Sequence, residues 1–165
     1  MRASLPTHDS IQEFEGARHD RLWDGMTLWG YRDGAAGAAY MLGYSVEMAL
    51  KCAYFRLAGL RVFDPIARPE LRSAEARARV LGLATQTESF HSVQFWCDLL
   101  CKHRHDLLSP LDPTLEQRLV TETGIVYDRW WVDMRYKAEK LSRNELEHLA
   151  AAADWFDRNY PDLYR

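Results

Sequence analysis

The chain has 165 residues, a length that suits one domain with one core, and 47% hydrophobic against 27% charged residues is an ordinary globular mixture rather than a disordered one. A formal charge of −3 excludes a broadly basic surface, so any contact with nucleic acid has to come from a local patch. Three cysteines are too few for a disulfide framework and fit a reducing compartment.

The opening MRASLPTHDSIQEFEG carries charges throughout and no apolar centre, so no signal peptide is expected and the cytoplasm is the expected location. From about Ser10 to Trp29 the pattern predicts a first amphipathic helix, closed by the glycines and aspartate of GYRDG. A second helix is predicted from about Gly34 to Leu57, ending at Gly59. Its run AAGAAYMLGYSVEMALKCAYF is the longest apolar stretch, but Glu47 and Lys51 interrupt it, which favours a buried helix over a membrane span. The small residues of its first half let neighbouring helices approach closely, and apolar residues surround it, so it is expected at the centre. Tyr40, Tyr44, Glu47, Lys51 and Tyr54 share one stripe, with Glu47 and Lys51 four apart in the order that favours an ion pair. The stripe reads either as a structural polar seam or as the lining of a ligand cleft.

RVFDPIARPE follows as a linker whose two prolines stop regular structure, then ELRSAEARARVLG as a short surface helix. SFHSVQFWCDLLCKHR predicts a further helix, and TLEQRLVTETGIVYDRWW another after the SPLDP turn. Ser142, with Glu145 three residues on, forms the capping box of a last helix expected to end near Tyr160, before Pro161. The expected fold is an all-α, up-and-down bundle of five to six helices, one domain over 1–165 with its core at about 10–160.

Two constellations invite other chemistry. Cys97, Cys101 and His105 recur every four residues with His91 and His103 nearby, but on one straight helix the outer pair stand about 12 Å apart along the axis, too far to share one metal. Buried core cysteines are the preferred reading; no metal and no cofactor is expected. Between Arg56 and Arg79 six arginines face three acids, a local basic excess that reads first as a solvated linker and helix face and second as a phosphate-binding patch. There is no Walker loop, no dinucleotide glycine motif and no GxSxG elbow, which excludes several common enzyme classes.

The second helix, with an aromatic-Gly-Tyr stretch before Glu47, two variable residues, then Leu50-Lys51, resembles the second-helix signature of HEPN domains. His91, opening a helix in FHSVQFWCDLL, is similar to that family's third-helix start, and WWVDMRYKAEKLSRNELEHLAAAADWF, with the pair Arg135-Tyr136, resembles its C-terminal part. The resemblance covers most of residues 10–160. It implies a helical bundle that pairs as a homodimer, a minimal nucleotidyltransferase as partner protein, RNA or a nucleotide as ligand, and no membrane. Active members are metal-independent RNA endonucleases of toxin or defence type. They carry an Arg, a polar residue, a few variable residues and a His, two copies of which meet in the dimer cleft; other members lack this motif and bind nucleotides or act as scaffolds.

RNELEH fits that motif, with Arg143, Asn144 and His148 at its fixed positions. Helical geometry puts Leu146, Leu149, Ala150, Ala153 and Phe156 on the core face, directs Asn144, His148, Ala151 and Trp155 away from it, and leaves Arg143 at the border. Trp155 on that outer face suggests a second buried surface such as a dimer interface. As catalytic residues, His148 would be the acid/base, Arg143 would stabilise the phosphate and Asn144 would orient them. Tyr44, Glu47, Lys51, His91, Arg135 and Tyr136 would form the ligand-binding or structural seam. The alternative is a non-catalytic nucleotide-binding or scaffold domain that dimerises or partners a nucleotidyltransferase.

Overall fold

In a computed structural model, residues 10–31, 33–84, 89–130 and 141–165 are described. They form helices α1 (Ile11–Trp29), α2 (Ala35–Leu57), α3 (Arg68–Val80), α4 (Val93–Asp106), α5 (Pro113–Tyr127) and α6 (Arg143–Tyr164), with a 3₁₀ turn at Ser89–His91. No β-strand forms among the described residues; one isolated bridge pairs Ser10 with Pro65. The bundle is therefore all-α, and none of these helices is long and apolar enough to cross a membrane.

Helix α2 is the hub, packing against α1, α4 and α6, while α5 closes against α4 and α6. Its small residues make this possible. A Cβ on Gly43 would lie 2.0 Å from Cγ of Trp130, and the indole Nε1 donates to the Tyr40 carbonyl at 3.2 Å. A Cβ on Gly25 of α1 would meet the Leu42 side chain at 2.7 Å, so the α1–α2 crossing also depends on a missing side chain. Leu42, Val46 and Leu50 are wholly buried, along with Trp96, Leu99, Leu119, Leu149 and Phe156 from the surrounding helices. Burying such side chains is worth about 1.5–3 kcal/mol each, which stabilises the helices far more than their propensities do.

Side-chain capping fixes four helix starts, that of α4 through the Ser92 hydroxyl, which accepts from the Phe95 amide at 3.2 Å. Ser10 with Glu13, and Ser142 with Glu145, complete capping boxes at α1 and α6, and Asp112 accepts from Thr114 and Leu115 at α5. The loop after α2 also serves α1: the Asp64 and Val62 carbonyls accept from the Ile11 and Gln12 amides at 3.2 and 2.8 Å.

Several helix boundaries differ from the sequence reading: α4 begins at Val93 rather than in SFHS, α5 ends at Tyr127 rather than running on into DRWW, and two differences fall at proline. Pro69 lies in the first turn of α3 instead of ending a linker, because a first-turn residue needs no amide hydrogen. Helix α6 continues past Pro161 to Tyr164. Arg104, 4% exposed, donates from Nη1 to the Leu163 carbonyl at 3.0 Å and from Nη2 to the Arg165 carbonyl at 2.8 Å. Tyr160 and Leu163 are buried on the same turn. A tertiary cap and apolar burial hold the last turn against the break that a proline alone favours.

Candidate functional site

Arg143, Asn144 and His148 occupy the first two turns of α6, and all three are exposed. Leu146, Leu149, Ala150, Ala153 and Phe156 are buried, so the helix presents the motif to solvent and its apolar stripe to α2 and α5. The Glu145 carboxylate is held below the usual range by hydrogen bonds from the Ser142 hydroxyl and amide. The motif thus begins on a fixed helix start.

Arg143 donates from Nε to Glu147 Oε1 at 3.1 Å, an in-helix pair with the arginine side chain 88% exposed. Such a pair is weak and readily exchanged for a phosphate. Five residues separate Arg143 from His148, which is about 140° around the helix and about 7.5 Å along it. On this helix the two side chains therefore leave in different directions.

Trp155 departs from the expected outer face. It is half-buried, packs against the core, and meets the Phe156 ring edge-on at 5.1 Å between centroids. Its bulk reaches back over the helix surface (long helical side chains lean toward the preceding turn), so it supplies little evidence of an interface.

On α2, Glu47 is fully buried and ion-paired with Lys51, itself 7% exposed. His91, half-exposed in the 3₁₀ turn, brings Nδ1 to 3.3 Å from the same carboxylate oxygen, and Lys51 Nζ lies 5.7 Å from the Trp96 ring centroid. Glu47 Oε2 has no hydrogen-bond partner among the described residues. Tyr44 stacks with Tyr40 at 5.9 Å, half-buried further along the stripe. The seam therefore runs from the core outward to His91, while Arg135 and Tyr136 lie outside the described residues.

Comparison with protein-family models, with curated protein sequences and with solved structures returns no match. Function therefore has to be read from this chain's own side chains.

The remaining sequence candidates are absorbed by structure. Cys52 and Cys97 are buried, and burial pushes the Cys52 thiol up to about 12. Cys101 is also raised, first by its hydrogen bond with Cys97 and then by burial, which leaves it a poor thiolate. His105 faces Glu116 at 3.0 Å, and His103 Nδ1 accepts from Arg77 Nε at 3.2 Å. No group of three or more metal-ligating side chains assembles among the described residues. Of the six arginines, Arg61 pairs with Asp64, Arg77 with Asp106 and Arg79 with Glu75, and Arg56 stacks over Tyr164, while Arg68 and Arg72 are exposed.

One feature near the motif escaped the sequence reading. A cleft of about 640 Å³ opens between the end of α1, the start of α2 and the entry to α6. Met26, Trp29, Tyr31, Leu141 and Leu146 line it, together with Arg143. The sequence carried only a faint signal, the aromatic pair Trp29 and Tyr31 at a helix end, because the walls come from segments more than a hundred residues apart.

Proposed function

We propose that this chain is a HEPN-like, metal-independent RNA endonuclease of toxin or defence type, acting as a homodimer. The observation that carries this reading is that Arg143, Asn144 and His148, the fixed positions of RNELEH, all face solvent from one capped helix start. His148 takes the proton of a 2′-hydroxyl, and the 2′-oxygen attacks the adjacent phosphorus. Arg143 stabilises the charge on the phosphorane oxygens, and Asn144 orients the phosphate. The 5′-oxygen leaves with a proton from an imidazolium, giving a 2′,3′-cyclic phosphate and a free 5′-hydroxyl. The divergence of Arg143 and His148 within one helix supports pairing of two copies, each completing the other's site.

The test is total cellular RNA incubated with wild type, Arg143→Ala and His148→Ala, with and without EDTA, beside light scattering at micromolar concentration. Wild type should cut in EDTA and scatter as twice the chain mass. Either substitution should lower the rate about 10²–10⁴-fold while leaving mass and helicity unchanged. Chelator-sensitive cleavage, or an inactive monomeric wild type, would refute the reading.

A second reading is favoured by the buried seam. A charged pair that reaches the surface at His91, with one carboxylate oxygen unmatched among the described residues, suits a non-catalytic HEPN-like domain that binds a nucleotide or docks on a nucleotidyltransferase-type partner. An intact dimer without RNA cleavage would favour this reading.

A further inference from the structure

We infer that the cleft beside Arg143 is a nucleobase subsite, which seats the base adjoining the scissile phosphate and so positions that phosphate at Arg143. The inference rests on the ribonuclease reading for its substrate, and goes beyond it by assigning base binding to residues outside the motif.

Three observations converge on this ligand. The first is volume: about 640 Å³ lies within the span of small-ligand sites and admits a purine with its ribose. The second is lining. Met26, Trp29, Leu141 and Leu146 give apolar or aromatic walls, and among the described residues that line it none is acidic and Arg143 alone is charged. Such a cleft fits a flat apolar body that carries an anion. The third is Tyr31, 66% exposed at the mouth although its ring would ordinarily be covered. Bases stack on such rings irrespective of sequence, and the stacked base gains what the exposed ring lacks.

The placement of Arg143 links cleft and chemistry. It belongs both to the cleft wall and to the RNELEH motif, while among the described residues only Nε is engaged, by Glu147. A phosphate can therefore take the guanidinium's outer edge with its base turned toward Trp29 and Tyr31. His148 is not among the cleft-lining residues. Binding of the base and transfer of the proton are thus served by different side chains.

The experiment is isothermal titration of the full-length chain with adenosine 5′-monophosphate and with ribose 5-phosphate, which has the anion and no base. Wild type should bind the nucleotide at least tenfold more tightly than the sugar phosphate. Tyr31→Ala should weaken the nucleotide about tenfold, within the range for one stacked base, and leave the sugar phosphate unchanged. Ala35→Phe, which fills the cleft from the first turn of α2, should do the same if Tyr31→Ala perturbs the turn. Equal affinity for the two probes, or nucleotide binding unmoved by both cleft variants, would overturn the inference. Failure of the two proposals is separable: base-dependent binding without RNA cleavage removes the ribonuclease and keeps the cleft. RNA cleavage without base-dependent binding removes the cleft alone.

Discussion

Glu47 was legible in the sequence as a problem, since a lone acid on an apolar helix must be paired. Its pairing with Lys51 follows from the four-residue spacing, but its complete burial and the approach of His91 were set by the packing of α4 and the 3₁₀ turn. Breaking such a pair leaves an uncompensated charge inside the bundle. Glu47→Ala should therefore cost about 3–5 kcal/mol in urea unfolding. The double substitution Glu47→Leu with Lys51→Met should recover most of that, because removing both charges spares their desolvation. A single-variant loss below about 1 kcal/mol would show that solvent reaches the pair. At Asn144 and His148 the helical period gave the outward direction, and the structure agrees; Arg143, placed at the border, is exposed as well.

Helices were the most readable level, because each begins or ends on chemistry visible in the chain. Ser10, Asp112 and Ser142 cap their helices through hydrogen bonds to residues two or three along, so a short window suffices. The end of α6 was not readable in this way. Pro161 signalled a stop, and the partner that overrides it, Arg104, lies on α4. Arg104→Met keeps the bulk and removes the charged donors, and should cost about 2–3 kcal/mol. Hydrogen exchange should then show the amides around Asp162 to Arg165 opening first. An unchanged unfolding midpoint would mean that burial of Leu163 alone holds the turn.

At the scale of the whole molecule, stability should depend on pH through His103. Its ring is buried beside Tyr54; burial, then the Arg77 guanidinium, hold its pKa below the usual histidine value, with Asp106 acting in the opposite sense. A depressed folded pKa means the fold requires the neutral ring. This contribution is fully present above about 6.5, the ordinary histidine value, and is lost as pH falls through the lower folded pKa. Urea unfolding at pH 7 and pH 5 should show wild type losing more stability than His103→Gln over that interval. Parallel losses would place the acid sensitivity elsewhere, in the carboxylates of the capping boxes.

By itself the sequence determined the all-α class, the starts of α1, α2 and α6, the central place of α2 and the outward direction of Asn144 and His148. Each of these depends on residues within a few turns of one another, where period, capping and side-chain size act directly. Only the tertiary structure decided that α6 survives Pro161, that Trp155 packs against the core, and that Arg77 and Arg56 meet Asp106 and Tyr164. It alone joined Trp29, Tyr31 and Arg143 around one cleft. The reason is the same in each case: the deciding partner is remote in the chain, and no local pattern records what folding will bring beside it.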